Sequence, residues 1–207
     1  MQAYMRTDEA FLGVPAPLQR IVHRETFGTR SLRSFAAWGD TILALWRGAT
    51  YREERYAAIS LALDRRYRAF ALELDALPLF RELIVDGAWW DLVDSVAIHG
   101  IGPLLREHPV AMRRTLRAWS RSDDIWERRS AIIAQNALKK DADPALLHAC
   151  IAPSLGRKEF WLRKAIGWAL RERAKTAPDE VARYVRGHDA ELSPLSKREA
   201  LKHLGAR

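Results

Sequence analysis

The sequence is poor in the residues that build sheets and in those that cross-link small proteins. Val, Ile and Thr together account for 26 of the 207 residues, against 85 for Ala, Leu and Arg, and this balance favours helices over strands. Cysteine occurs once, at Cys150, so an internal disulfide is impossible and a reducing compartment is expected. Its apolar neighbours predict that Cys150 is buried as a small hydrophobic side chain.

Long apolar runs and short catalytic signatures are also missing. The chain has no run of 18 apolar residues and no signal-peptide pattern, which predicts a soluble, cytoplasmic protein. Its 6 His residues are scattered, and neither HExxH nor CxxC spacing occurs, so we expect no metal site. The GxSxG, GxxxxGK[ST] and GxGxxG patterns are absent as well, and no cofactor is predicted.

Tryptophan and positive charge are the two features in excess. The chain has 8 Trp residues, and its 34 Lys and Arg outnumber its 26 Asp and Glu by 8. The excess is uneven, because residues 1–110 carry 13 basic and 14 acidic side chains whereas residues 111–207 carry 21 and 12. If the protein binds a polyanion, the second half of the chain is therefore the part expected to face it.

Apolar residues recur at helical spacing from one end of the chain to the other. Pro144, Pro178 and Pro194 fall where the pattern pauses, as expected for the first turn of a helix. Gly100-Ile101-Gly102 predicts a turn before Pro103. The predicted helices cover about residues 18–27, 32–46, 51–72, 76–86, 89–98, 109–120, 125–139, 144–152, 158–174, 178–185 and 194–204.

Two segments repeat a pattern at a distance of 35 residues. Residues 125–132 (IWERRSAI) and 160–166 (FWLRKAI) each have an aromatic near the start, then basic residues, then Ala-Ile. This period is typical of helical-repeat solenoids, in which each helix pair buries its apolar side against its neighbours. The sequence therefore predicts an all-α protein, an α-solenoid (α-α superhelix) of HEAT-like repeats. We expect one domain over residues 1–207, with a concave basic groove.

Basic residues recur on the helices of these two repeats. Lys164, Trp168 and Arg171 lie at positions i, i+4 and i+7, which is one helix face. Arg128 and Arg129 have a similar arrangement one repeat earlier. One interpretation is a solvated face whose long side chains cover apolar neighbours. The other is a groove that binds a phosphate backbone, and the spacing alone leaves both open.

The segment Trp89-Trp90-Asp91-Leu92-Val93-Asp94 places acids beside indole rings. Trp90 and Asp94 are four residues apart and share a helix face, with Asp91 close to it. In a structural interpretation, one of the two acids caps or forms a salt bridge with a neighbouring helix, and Trp90 packs. In a functional interpretation, the carboxylate next to an aromatic surface stabilises a developing positive charge.

Three segments resemble the HEAT-repeat DNA alkylation repair proteins of the AlkD type. They are residues 89–94 (WWDLVD), 125–129 (IWERR) and 158–172 (KEFWLRKAIGWALRE). Tyr4-Met5 and residues 11–15 (FLGVP) are similar to the family's opening, and residues 195–203 (LSKREALKH) are similar to its close. The resemblance therefore covers nearly the whole chain.

The resemblance implies a monofunctional DNA glycosylase that removes cationic alkylpurines, chiefly N3-methyladenine and N7-methylguanine, from duplex DNA. It implies that, unlike most glycosylases, the enzyme acts without flipping the base. We expect a monomer, the natural form for an enzyme that wraps duplex DNA. The product would be an abasic site. The residues implied to be catalytic are Trp90, Asp94 and Trp168. The residues implied to bind DNA are Arg129 and Arg171. Lys164 is added to them because it lies on the same helix face as Arg171.

The chemistry of the lesion fits these roles. Alkylation at N3 or N7 makes the purine cationic and therefore a good leaving group, and positive charge moves to the sugar as the C1′–N bond stretches. Asp94 would stabilise that cation, and Trp90 and Trp168 would add a cation–π energy of roughly 0.5 to 2 kcal/mol. The alternative is a non-catalytic HEAT-like solenoid that binds DNA or a protein partner through the same groove.

Overall fold

The computed structural model describes Met5, residues 7–29 and residues 31–204 of the chain. Helices dominate these residues, and their only strand-like contact is an isolated bridge between Ala10 and Tyr51. The predicted all-α class is therefore confirmed. Tyr4, from the segment that resembles the family opening, lies outside the described residues. Within the same part of the chain, no helix is both long and apolar enough to cross a membrane.

The chain divides into two compact units, Met1–Leu83 and Ile84–Arg207. The prediction of one continuous domain stays a prediction. The first unit buries a core of large side chains that includes Trp38, Ile42 and Trp46. Its helices are α1 (Ala16–Gly28), α2 (Phe35–Arg47), α3 (Arg52–Ala62), α4 (Arg68–Ala71) and the first part of α5 (Leu77–Gly87), with 3-10 turns at Arg65–Tyr67 and Leu74–Ala76.

The helix predicted over residues 51–72 is interrupted, so this prediction is wrong. Helix α3 ends at Ala62, and Asp64 adopts an extended backbone conformation. Its Oδ1 accepts a hydrogen bond of 2.9 Å from the backbone N–H of Arg66. Asp64 thereby caps a new helical turn, which a pattern of apolar spacing does not reveal.

The segment 11–15 has a structural role in the first unit. The backbone N–H groups of Leu12, Gly13 and Val14 donate to the carboxylate of Glu53 at 3.0, 2.8 and 3.2 Å. Gly13 has a φ of +80°, a conformation that favours glycine. Because Glu53 is only 4% exposed, these three donors compensate for its buried charge and hold the segment against α3.

The second unit continues the series of short helices. Pro144, Pro178 and Pro194 begin helices as predicted. The unit contains the end of α5, then α6 (Trp90–Val96), a π-helical segment (Ala97–Ile101), α7 (Gly102–Glu107), α8 (Pro109–Trp119), α9 (Ile125–Ile133), α10 (Pro144–Ile151), α11 (Phe160–Ala174), α12 (Pro178–Gly187) and α13 (Pro194–Ala200), with 3-10 turns at Lys139–Asp141 and Ala152–Ser154.

The predicted turn at Gly100-Ile101-Gly102 is wrong, because these residues continue a helix. The π-helical segment links α6 directly to α7. A Cβ atom on Gly102 would lie 2.5 Å from the carbonyl oxygen of Ala134. Glycine is therefore required here by close packing against another stretch of backbone rather than by a turn.

The helix predicted over residues 125–139 ends early. Helix α9 ends at Ile133, and turns and a short 3-10 segment follow it. Lys139 has a φ of +53°, a left-handed conformation that an α-helix excludes. The residues around the start of α10 are positioned instead by Gln135, whose side chain forms two hydrogen bonds with the backbone of Asp143.

Cys150 is buried in the second unit, as predicted. Burial raises the pKa of its thiol to about 12, so the side chain behaves as a small hydrophobe rather than as a nucleophile. The core around α9 and α11 is made of aliphatic residues from successive helices, including Ile132, Ile133, Leu162 and Ile166.

The period of 35 residues appears in the structure as contacts between equivalent positions. In the first unit, Arg47 donates two hydrogen bonds to Glu82 at this separation. In the second unit, Arg129 pairs with Asp94 and Lys164 with Glu199, again at a separation of 35 residues. The repeat seen in the sequence is thus a real structural register within each unit.

Candidate active site

The centre of the candidate site is a buried ion pair between α6 and α9. Arg129 Nε lies 2.7 Å from Asp94 Oδ1, and Arg129 Nη2 lies 2.7 Å from Asp94 Oδ2. Arg129 Nη1 donates a third hydrogen bond, of 2.7 Å, to the backbone carbonyl of Trp161 on α11. Two parallel hydrogen bonds of this kind fix a carboxylate in position and in orientation.

The pair lies away from bulk solvent. The Arg129 side chain is 4% exposed and that of Asp94 is 14% exposed. Burial raises the pKa of the Asp94 carboxyl, the hydrogen bonds and charge of Arg129 oppose this rise, and the charge of Asp91 adds to it. A carboxylate held in such surroundings interacts strongly with any positive charge that develops beside it.

Local structure at the start of α6 and of α9 positions the two partners. Ala88 has a φ of +41°, a conformation that is uncommon for residues with a Cβ atom, and α6 begins two residues later at Trp90. Asp124 caps α9, since its Oδ1 accepts from the backbone N–H groups of Trp126 and Glu127 at 2.8 and 2.9 Å. The cap fixes the first turn of the helix that carries Arg129.

A cluster of aromatic rings surrounds Trp161 beside the ion pair. Its ring centroid lies 5.5 Å from that of Trp89, 6.0 Å from Trp126 and 5.0 Å from Phe160. Trp90 stacks on Trp161 with 6.4 Å between centroids and 24° between planes. The guanidinium carbon of Arg129 is 5.8 Å from the centre of the Trp161 ring, so one tryptophan connects the indole cluster to the charges.

The structure brings Trp90, Asp94 and Arg129 together, whereas among the described residues no hydrogen bond or ring stacking joins Trp168 to them. Trp90, Asp94 and Arg129 are linked through Trp161. Trp168 lies two turns further along α11, is half-buried against the core, and its Nε1 donates to Glu172 Oε1 at 3.3 Å. The catalytic role of Trp168 stays a prediction.

The sequence allowed a structural interpretation in which one acid near Trp90 forms a salt bridge with a neighbouring helix and Trp90 packs, and the contacts agree with it. Asp94 forms a salt bridge with a neighbouring helix, and Trp90 is half-buried rather than exposed. The functional interpretation stays a prediction.

Lys164 and Arg171 share a single acidic partner. Lys164 Nζ lies 2.9 Å from Glu199 Oε1, and Arg171 Nη1 donates to Glu199 Oε2. These contacts confirm that the two cations occupy one face of α11. Glu199 comes close because α11 has a glycine there: a Cβ on Gly167 would lie 2.5 Å from Glu199 Cβ. The hydrogen bond from Lys164 is the largest cause that lowers the pKa of Glu199.

The two arginines of the earlier repeat do not form an exposed cationic face. Arg128 donates to the backbone carbonyls of Ser122, Pro153 and Arg121, and its side chain is buried. The guanidinium of Arg129 donates its hydrogen bonds to the Asp94 carboxylate and to the backbone carbonyl of Trp161. The suggested similarity between this repeat and the next is therefore wrong for Arg128, which joins loops inside the protein.

The sequence interpretation missed Trp161 and Glu199. Trp161 lies 35 residues after Trp126, and Glu199 lies 35 residues after Lys164. Extending the repeat to single positions would have identified both as neighbours of predicted site residues. In the described residues, no group of three or more His, Cys, Asp or Glu side chains is arranged to hold a metal.

Comparisons with known proteins agree with the resemblance in sequence. The profile of the family described as DNA alkylation repair enzyme matches residues 1–204. A solved structure, a predicted DNA alkylation repair enzyme from Enterococcus faecalis, is 30% identical with a TM-score of 0.86, over 100% of this chain and 94% of that chain. The crystal structure of AlkD2 from Streptococcus mutans is 14% identical with a TM-score of 0.68, over 97% of this chain and 96% of that chain. These likenesses confirm the predicted HEAT-like fold. No curated protein matches.

Proposed function

The chain belongs to the family of DNA alkylation repair enzymes, and we propose that it is a monofunctional glycosylase of cationic alkylpurines in duplex DNA. The bases removed would be N3-methyladenine and N7-methylguanine. The observation that carries the proposal is the carboxylate of Asp94, fixed by Arg129 at the edge of an indole cluster. The enzyme would act without flipping the base out of the duplex, as a monomer in the cytoplasm.

In the proposed reaction, the bond between C1′ and the purine nitrogen breaks and its electron pair goes to the purine. The base leaves in neutral form, and the sugar becomes an oxocarbenium ion. Asp94 stabilises this cation and orients a water molecule, whose oxygen bonds to C1′. The proton of the water passes to Asp94 or to solvent, and the product is an abasic site.

The side chains around Asp94 support this chemistry. A carboxylate has about four lone-pair positions, so the two hydrogen bonds from Arg129 leave Asp94 able to accept from water or to face a cation. The ring of Trp90 supplies an electron-rich surface for the sugar. The resemblance implies that Arg129 binds DNA, but its guanidinium hydrogen-bonds to Asp94 and to a backbone carbonyl, so we propose instead that it positions Asp94. Lys164 and Arg171 would bind the DNA backbone, and Trp168, two turns beyond Trp161 on α11, would hold the sugar.

The second candidate function is that of a non-catalytic DNA-binding or protein-binding solenoid. The observation in its favour is that the charge of Asp94 is matched by Arg129, as in a purely structural ion pair. In this case the family fold would be retained and the reaction absent.

The two functions are separated by incubating the protein with a duplex that contains one N7-methylguanine. The glycosylase should release free N7-methylguanine and leave an abasic strand that is cut only after alkaline treatment. A duplex with ordinary guanine serves as the control. Binding of the lesion duplex without release of base by the wild-type protein would contradict the proposed activity and favour the second function.

A further inference from the structure

The first unit contains an open cavity of about 410 Å³ beside α1 and the end of α3. None of its lining residues belongs to the site around Asp94. The cavity is within the range of about 300 to 1,000 Å³ found for small-molecule sites. The polar and aromatic side chains that matter for its chemistry are Arg20, His23, Arg24, Phe27, Ser60 and Arg66.

The cavity has an excess of positive charge. Arg20 and Arg24 are one turn apart on α1, and both side chains are exposed. The one carboxylate in the lining belongs to Asp64, and Arg66 neutralises it with hydrogen bonds of 3.1 Å to Oδ1 and 2.6 Å to Oδ2. The two arginines of α1 therefore present two forked sets of donors to an anion.

The cavity also has a flat aromatic side. The rings of His23 and Phe27 stack with 5.6 Å between centroids and 25° between planes. His23 Nδ1 lies 3.0 Å from Ser60 Oγ, which fixes the orientation of the imidazole. Burial lowers the pKa of His23, so the ring is an uncharged surface at neutral pH.

We propose that this cavity binds a nucleotide through its phosphate group. The phosphate oxygens accept hydrogen bonds from Arg20 and Arg24, and the planar base lies against the ring of Phe27. A free nucleotide and a nucleotide of a DNA strand offer the same chemistry. Because the cavity and the site of Asp94 share no residue, this binding does not depend on the proposed glycosylase activity.

The test follows the ring resonances of His23 in the full-length protein during titration with inorganic phosphate, deoxyadenosine monophosphate and an undamaged duplex. The double variant Arg20→Gln/Arg24→Gln removes the two proposed ligands. The variant Arg33→Gln/Arg68→Gln removes the same charge from exposed residues outside the cavity lining. All four substitutions are at exposed positions, so the fold should be unaffected.

We expect the nucleotide to shift the His23 resonances in the wild-type and control proteins, with affinity at least tenfold weaker in Arg20→Gln/Arg24→Gln. A stronger response to the duplex than to the nucleotide identifies DNA as the source of the phosphate, and the reverse identifies a free nucleotide. The proposal is overturned if none of the three probes shifts His23, or if Arg20→Gln/Arg24→Gln responds as the wild type does.

Discussion

Two ion pairs in the second unit have the same spacing in the sequence and different cations. Asp94 pairs with Arg129, and Glu199 pairs with Lys164, each over 35 residues. The two carboxylates are similarly covered, at 14% and 16% exposed, but the Arg129 side chain is 4% exposed and that of Lys164 is 36% exposed. The pKa of Asp94 is raised by burial, and the pKa of Glu199 is lowered chiefly by the hydrogen bond from Lys164.

The repeat brings an acid and a base together in both pairs, and the burial of the cation determines how easily the pair can be broken. Removing two charges from water is costly, so a buried pair contributes little net stability but leaves a large penalty if one partner is lost. A pair whose cation reaches solvent is partly screened, and that cation can exchange its partner more easily. We therefore expect the buried pair to serve a reaction at a fixed position, and Lys164 of the partly exposed pair to exchange Glu199 for a DNA phosphate.

Loss of one buried partner should produce the largest effect on stability. Arg129→Leu leaves the Asp94 carboxylate buried and unpaired, and we expect the free energy of unfolding to fall by about 3 to 5 kcal/mol. Lys164→Leu, the matched change in the partly exposed pair, should cost about 1 kcal/mol or less, because Glu199 keeps Arg171 as a partner. Urea unfolding of both variants measures the difference, and equal losses would remove the contrast between the pairs.

The double variant Asp94→Leu/Arg129→Leu sharpens this test. Replacing both charges by apolar groups should restore most of the stability lost in Arg129→Leu, because no unpaired charge remains. Base release should stay far below the wild-type rate in the double variant, because the Asp94 carboxylate is missing. Recovery of activity together with stability would show that the buried pair has a purely structural role.

The pKa of Asp94 is raised and that of Glu199 is lowered, so on acidification Asp94 should be protonated before Glu199. The folded-state pKa of Asp94 is raised, so its ionised, active form should be lost at a pH above the ordinary aspartate value of about 3.9. The folded-state pKa of Glu199 is lowered, so its pair with Lys164 should persist below the ordinary glutamate value of about 4.3. Side-chain carboxyl NMR titration measures both values. The contrast is refuted if the pKa of Asp94 lies below the ordinary value.

Loss of the two cations on α11 should weaken DNA binding. For Lys164→Gln/Arg171→Gln we expect about tenfold weaker binding to duplex DNA at low salt, with a shallower salt dependence, because fewer counterions are released. Arg113→Gln/Lys197→Gln is a control, since these cations also pair with acids but lie on α8 and α13. Equal weakening by both variants would indicate a general charge effect only.

Glu199→Gln should produce the smallest effect, in the opposite direction. The change frees Lys164 and Arg171 from a competing carboxylate, so duplex affinity at low salt should increase about threefold, the size expected of a surface ion pair. Fluorescence anisotropy with a labelled duplex measures this change. Weaker binding by Glu199→Gln would mean that the carboxylate positions the two cations for DNA rather than competing for them.

Much of the fold follows from the sequence because it depends on local signals. The helix starts at Pro144, Pro178 and Pro194 were predicted from the constraints that proline places on the backbone. The break at Asp64 was not predicted, since it depends on one side chain capping a turn. The sequence predicts a turn at Gly102, whereas the role of this residue depends on contact with Ala134, which lies far away in the sequence.

The candidate site was predictable in part for a similar reason. Trp90 and Asp94 lie on one helix, so their spacing alone places them on one face. The contacts of Arg129 with Asp94 and with the Trp161 carbonyl join three helices, and only the full register of the repeat could have predicted them. The charge of Arg128 gave no sign that three backbone carbonyls would surround it.

The buried Asp94–Arg129 pair is thus proposed to serve the reaction, and the partly exposed Lys164 to bind DNA. This proposal is tested most directly by the single-turnover release of N7-methylguanine from duplex DNA at saturating protein, with spontaneous depurination subtracted. Asp94→Asn should lower the release rate by about a hundredfold to a thousandfold, the usual effect of losing one preorganised electrostatic group. Glu199→Gln should stay within about threefold of the wild type, because a surface pair contributes little. Release by Asp94→Asn at the wild-type rate would contradict the account.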